Sequence, residues 1–283
     1  MKEHHLRIGG RAVTLVAGPA GWGESSPLPG YPSDPVASRH AAEEAARDGW
    51  PPPVRDSVPV NALVDDGPVD TDALAGCPAV KVKVGRADAG ADVDLVSSVR
   101  DAVGPAAALR VDANRAWDVD SAASVIARLV PFDLELVEQP VATLDDLARL
   151  RRRVDVPLAA DESVRTVDDA RRLASLHAAD AIVLKVQPLG GVRAALRIAD
   201  AAGVPALVTS MRETSVGIAA GLALAAALPE LPYACGLAAR MPGGDVVREP
   251  LAPEHGRLRL RPVEPDPELL ARYEVTSGQE VRS

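Results

Sequence analysis

A strand-helix repeat of about 25 residues constrains this chain more than any other feature. Short apolar runs at 58–64, 79–84, 107–111, 134–137, 157–160, 181–186, 206–209 and 233–237 each suit a buried strand. Helical periodicity follows at 118–129, 144–153, 167–176, 191–202 and 215–227, with Thr143, Thr166 and Thr214 placed to cap three of these segments. A repeating βα unit requires parallel strands joined by right-handed crossovers. Eight such strands can close on themselves. A doubly wound open sheet competes, but the first strand-helix turn carries no G-x-G-x-x-G and no phosphate-cradling Walker loop is present. The expectation is an α/β fold: a (β/α)8-like, modified TIM-type barrel with a reduced N-terminal α+β capping region.

The regular pattern starts only at 58. Before it lie an apolar run at 12–17, a turn-rich stretch at 18–35, a short helical pattern at 36–48 and the punctuation Pro51-Pro52-Pro53. Residues 1–57 therefore read as the capping region and linker, 58–250 as the catalytic barrel, and 251–283 as a segment returning to the cap or the surface. Phe, Tyr and Trp make up only 2% of the 283 residues, so the core is aliphatic and base stacking is excluded. The net charge of −9 opposes a nucleic-acid or anionic-membrane partner. No signal-peptide core and no membrane-span-length apolar stretch is present, so a cytoplasmic location is expected. Cys77 and Cys235 are far apart and fit no ligand or disulfide pattern, and His4, His5, His40, His177 and His255 lack metal-ligand spacing. Arg149, Arg151, Arg152 and Arg153 read as the solvated end of one helix.

Barrel chemistry sits at the C-terminal ends of strands, and here those ends converge. Alternation in Val80-Lys81-Val82-Lys83-Val84 sends the valines to one face and both lysines to the other, a pattern that also fits an amphipathic strand facing solvent. The following strands end in Asp112-Ala113-Asn114, Glu138-Gln139-Pro140 and Asp161-Glu162-Ser163; the sixth carries Lys185, and the seventh ends in Thr209-Ser210-Met211. One acid at a strand end reads equally as a cap or turn former. Three in series repel one another unless a cation lies between them, and oxygen-only ligation favours Mg²⁺ over Zn²⁺. Asp112, Glu138 and Asp161 are the expected ligands, with Mn²⁺ an acceptable substitute. Glu162 would alternate to the opposite side and is expected behind the ligands or as a competing assignment; Asn114 neighbours the site. Lys83 and Lys185 would flank a small-molecule carboxylate bound to the metal, for α-proton abstraction.

This ordered set of Lys-x-Lys, Asp-x-Asn, Glu-Gln-Pro, Asp-Glu-Ser and a later Lys resembles the enolase superfamily in its muconate-lactonising branch, nearest the o-succinylbenzoate synthase family of actinobacterial type. Gly21-Trp22-Gly23-Glu24, Pro188-Leu189-Gly190-Gly191-Val192 and Glu213-Thr214-Ser215-Val216-Gly217 extend the likeness, which runs from Gly18 to Pro250. It implies a Mg²⁺-dependent lyase that dehydrates 2-succinyl-6-hydroxy-2,4-cyclohexadiene-1-carboxylate to o-succinylbenzoate in menaquinone biosynthesis. It also implies that Lys83 takes the α-proton and returns it to the departing hydroxyl, that Lys185 stabilises the enediolate, and that Lys81 tunes Lys83 and assists carboxylate binding.

The chain departs from the family pattern in its cap, which is shorter than the usual roughly one hundred residues. Arg212 stands where family members often carry a small or apolar residue, and the loop Arg240-Met241-Pro242-Gly243-Gly244 is individual. Both could alter substrate contacts. Ser210, Met211 and Gly190 are expected near the substrate. Gly190 and Gly191 open a helix whose amides could hold an anion such as a succinyl carboxylate, or they permit a tight turn. N-succinylamino acid racemase or dipeptide epimerase activity needs the same metal and two opposed lysines. A Schiff-base aldolase using Lys185 and a ligand-binding barrel without turnover are the remaining alternatives.

Overall fold

The computed structural model describes residues 1–275 except 33, 66–68, 71–73 and 75; positions 276–283 of the expected C-terminal segment lie outside the described residues. Alternating side chains form an antiparallel sheet of β1 (Lys2–Ile8), β2 (Arg11–Gly18) and β3 (Gly21–Ser25). Gly9 and Gly10 link the first two at φ 54° and 82°, the hand that a two-residue hairpin needs. Helix α1 (Pro35–Asp48) starts where the Asp34 side chain accepts the Val36 N–H and Pro35 presets the first turn. It lies so close to the sheet that a Cβ on Gly23 would sit 2.0 Å from the Ala42 carbonyl oxygen.

The barrel follows. Strand β4 (Ser57–Pro59) pairs antiparallel with β12 (Arg257–Arg259), and the ring itself begins at β5 (Asn61–Val64). The expected first strand, 58–64, is therefore divided. Next come β6 (Ala79–Lys83), β7 (Ala108–Asp112), β8 (Leu134–Glu138), β9 (Leu158–Ala160), β10 (Ala181–Leu184) and β11 (Ala206–Val208), all parallel and in sequence order. The expected eighth strand, 233–237, closes the ring without a regular ladder, through bridges from Cys235 to Val60 and from Gly236 to Thr209. Pro232 just before it and Gly236 within it keep the pairing short.

Helices α2 (Ala89–Val103), α3 (Val119–Leu129), α4 (Leu144–Arg151), α5 (Val167–Leu176), α6 (Val192–Ala202) and α7 (Ser215–Ala227) surround the strands. Thr143, Thr166 and Thr214 each accept an N–H at a helix start, as their positions predict. The periodicity did not predict α2, whose buried face is only Asp92, Val96 and Val99. Helix α8 (Pro267–Tyr273) packs on β1. Among the described residues, no helix is long and apolar enough to cross a membrane.

Leu136, Ala159, Ala181, Val183 and Leu207 form an apolar layer with Tyr233 beside it. Arg110, also fully buried, precedes Asp112 by two residues on β7. The β7/β8 register slips at this point and frees Glu135 to accept from Arg110 Nε at 2.5 Å; Arg110 Nη1 donates to the Ala234 carbonyl at 2.6 Å.

The cap is clamped to the barrel through polar contacts. Arg11 Nη1 donates to the carbonyls of Met211 and Arg212 at 2.7 and 2.8 Å, and Nη2 donates to that of Ser26. The buried Glu24 carboxylate accepts from Ser26 Oγ at 2.6 Å, from the Gly217 N–H at 3.0 Å and from Thr214 Oγ1. Glu213 accepts the Met211 N–H at 2.6 Å; burial, reinforced by the charge of Glu24, pushes its pKa up to about 7 despite Arg11.

Two consequences are measurable by urea unfolding. Gly23→Ala should destabilise by about 1–3 kcal/mol or more through overpacking against α1, whereas Gly10→Ala should cost about 1–2 kcal/mol from φ strain alone. The folded state holds the Glu213 proton to a higher pH than the unfolded chain does, so stability should fall as pH rises from about 4.5 to about 7. Glu213→Gln should flatten that fall, which amounts to roughly 3 kcal/mol at most; an unchanged slope would remove Glu213 as its source.

Candidate active site

Strand register brings the central side chains together. Lys83 stands opposite Asp112 across β6 and β7, and Asp112 stands opposite Glu138 across β7 and β8. Val80 and Val82 are wholly buried on one face, while Lys81 on the other is only 7% exposed. The lysine face is therefore the barrel interior, and the solvent-facing reading of this strand is wrong. Lys81 Nζ lies 3.0 Å from Asp112 Oδ2 and 3.0 and 3.2 Å from the two Glu138 oxygens. Lys83 Nζ lies 2.7 Å from the same Asp112 oxygen and donates to Asn114 Oδ1. Lys185, the residue after β10, is buried and pairs with Asp161 Oδ2. Since β6 and β10 are second and sixth in an eight-position ring, Lys83 and Lys185 approach from opposite walls.

The charges in this cluster decide one another's ionisation. Burial pushes Glu138 up to about 8, the Asp112 charge adds to that, and Lys81 opposes it. Burial would also raise Asp112, but Lys81 and Lys83 overcome it and hold this carboxyl below the ordinary carboxylate range. For Lys81 and Lys185 burial favours the neutral amine; Asp112 and Glu138 in one case, and Asp161 in the other, outweigh it and keep both above the ordinary lysine value.

Alternation misplaces Glu162. Strand β9 ends at Ala160, so the period of two no longer applies, and the turn that follows buries both Asp161 and Glu162. Glu162 lines the cavity, and its Oε1 accepts from Asn114 Nδ2 at 3.0 Å. Asn114 can reach it because its backbone is left-handed, at φ 43°.

Lys81, Lys83, Asp112, Asn114, Glu162 and Lys185 line a cavity of about 410 Å³. Ser210, Met211 and Arg212 form part of its wall. Gly190 does not line it. Its carbonyl lies 2.8 Å from His40 Nδ1 of α1, and it turns at φ 83°. The start of α6 is already served by a carboxylate of this chain: Glu44 accepts the Arg193 N–H at 3.3 Å and would meet a Cβ on Gly191 at 2.9 Å. The tight-turn reading of the glycine pair holds. The Arg240–Gly244 loop packs elsewhere, with Gly243 against Gly9.

Tyr31, from the cap, escaped sequence reasoning. Its hydroxyl donates to Asp161 Oδ1 at 3.0 Å, and Lys185 Nζ sits 4.2 Å from its ring centroid. Its position in a loop carries no periodicity that could have identified it. Asn61 and Thr209 also face the cavity, and each has a buried oxygen without a hydrogen-bond partner in the structure.

Among the described residues, no three acid, histidine or cysteine side chains are already gathered as a metal-ligand set. Lysine ammonium groups instead lie on Asp112, Glu138 and Asp161. The donor chemistry still fits a hard divalent cation: these acids are 1–2% exposed at the ends of adjacent strands, and the buried Glu162 Oε2 has no hydrogen-bond partner.

Residues 69–266 match the family described as Enolase C-terminal domain-like. The o-succinylbenzoate synthase of Thermobifida fusca (strain YX) is 54% identical over 95% of this chain and 89% of its own length. That of Mycolicibacterium smegmatis is 45% identical over 92% and 83%. Among solved structures, muconate lactonizing enzyme from Klebsiella pneumoniae superposes with a TM-score of 0.83 at 24% identity, covering 97% of this chain and 98% of its own. The Pseudomonas putida enzyme gives 0.82 at 23%, with 96% and 98% covered. The structural likeness shows a shared barrel and cap, and the sequence relatives narrow the assignment: the chain belongs to the o-succinylbenzoate synthase family of the enolase superfamily.

Proposed function

We propose that this chain is a Mg²⁺-dependent lyase that dehydrates 2-succinyl-6-hydroxy-2,4-cyclohexadiene-1-carboxylate to o-succinylbenzoate in menaquinone biosynthesis. The observation that carries this reading is the pair of lysines, Lys83 and Lys185, approaching one cavity from opposite walls around buried carboxylates. Asp112, Glu138 and Asp161 would hold Mg²⁺, or Mn²⁺ in its place, which supplies positive charge where the substrate carboxylate gains negative charge.

The chain's own groups do the rest. Lys83 has the more accessible Nζ, its side chain 26% exposed against 9% for Lys81 and Lys185, and as the neutral amine it takes the proton α to the carboxylate and becomes the ammonium. The same Nζ returns that proton to the departing hydroxyl, so the ring loses one water and becomes aromatic. Lys185, held by Asp161 and the Tyr31 ring, remains a cation facing the developing negative charge. Lys81 bridges Asp112 and Glu138 and fixes both carboxylates beside Lys83. A cytoplasmic setting is supported by the acidic composition, at a net charge of −9.

Two opposed lysines also suit racemisation of an N-succinylamino acid, so both reactions should be assayed on purified protein. Dehydration is expected, abolished by chelator and restored by Mg²⁺; racemisation alone would overturn the assignment. Lys83→Ala should lower kcat by on the order of 10²–10⁴ while calorimetry still detects Mg²⁺ binding. Retained turnover would remove Lys83 as the base.

A further inference from the structure

Arg212 and Arg115 are the cations on the cavity wall that the proposed chemistry does not use. Arg212 lines the active-site cavity and also a neighbouring one of about 550 Å³, and the two share Leu28, Pro29, Lys83 and Asn114. Its backbone is left-handed at φ 55°, a conformation that is unfavourable for a non-glycine residue. The loop is held there from several sides. Arg11 donates to the carbonyls of Met211 and Arg212, the Glu213 carboxylate accepts the Met211 N–H, and the Met241 N–H donates to the Glu213 carbonyl at 2.9 Å. Strain maintained by so many contacts marks a residue whose side-chain placement matters.

That side chain pairs with Asp65, immediately after β5, and both partners are partly exposed, at 39% and 44%. Among the described residues Asp65 is the sole side-chain partner of Arg212, which leaves most of the guanidinium donor fork open. The lysines deeper in the cavity are each committed to a buried carboxylate. Arg115, the other guanidinium on the wall, lies 3.8 Å from Glu162 Oε1 on the side of the acid cluster. A second anionic group on the substrate would therefore find its open cation at Arg212.

We propose that Arg212 recognises the distal carboxylate of the substrate's succinyl arm, and that Asp65 positions the guanidinium for it. The site is thereby selective for dicarboxylates. This inference rests on the dehydration reading for the identity of the substrate. Arginine suits the task because its planar fork binds a carboxylate through two parallel hydrogen bonds.

The test is calorimetric binding, in Mg²⁺, of o-succinylbenzoate and of 2-butyrylbenzoate, which keeps the aryl carboxylate and ketone and replaces the distal carboxylate by a methyl group. Arg212→Met should weaken o-succinylbenzoate about 10- to 100-fold and leave 2-butyrylbenzoate within about twofold; Arg212→Lys should recover part of the loss. Equal weakening of both ligands in both variants, or no weakening in either, would overturn the proposal. Turnover is measured separately. Wild-type protein that binds o-succinylbenzoate through Arg212 but dehydrates nothing would sink the dehydration reading alone. Normal turnover with unaltered ligand discrimination in Arg212→Met would sink this assignment alone.

Discussion

Carboxylates buried at the ends of adjacent strands repel one another, and the polar architecture of the barrel answers that repulsion. Asp112, Glu138 and Asp161 are nearly inaccessible to water, where unpaired charges would each cost several kcal/mol. Lys81 and Lys83 meet the first two from one wall, and Lys185 meets the third from the other. Glu138 shows that the balance is incomplete: even beside Lys81 its carboxyl holds its proton well above the ordinary range.

The cap contributes to the same site despite its small size. Leu6, Ile8, Val13 and Leu15 pack in one buried apolar cluster with Val216, Met241, Val246 and Val247, and charged and polar groups add to that attachment at the barrel mouth: Arg11 on the loop after β11, Glu24 on the start of α7, and Ser26 and Ser38 on Gln187. These contacts hold the chain up to Tyr31, whose ring and hydroxyl reach Lys185 and Asp161. A short cap therefore still places an aromatic side chain beside Lys185 and Asp161.

Much of this was legible in the sequence, for identifiable reasons. Strands of a parallel barrel are buried on both faces, so they stand out as apolar runs, and the strand ends carry the acids and lysines in order. What escaped lay where local pattern and tertiary contact part company. Helix α2 hides a buried acid on a narrow apolar face, with Asp92 serving the Gly85 and Arg86 amides instead of solvent. Glu162 follows a strand that has already ended. Arg110 sits in a run that reads as simple core, yet depends on a register slip and a partner from β8. Gly190 reads as an anion site only until Glu44, about 150 positions away in the chain, is seen to fill that place.

The ring is unequal around its circumference. Elsewhere neighbouring strands share ladders, but at the eighth position β11 and β5 are joined through Cys235 and Gly236 by the amides of Asn61, Cys235, Gly236 and Ser210. The ion pair between Arg212, beyond the end of β11, and Asp65, beyond the end of β5, crosses that same gap. Selectivity at the rim and cohesion of the barrel wall thus meet in one pair of side chains, and any substitution that tunes the first also alters the seam where the cylinder is most thinly stitched.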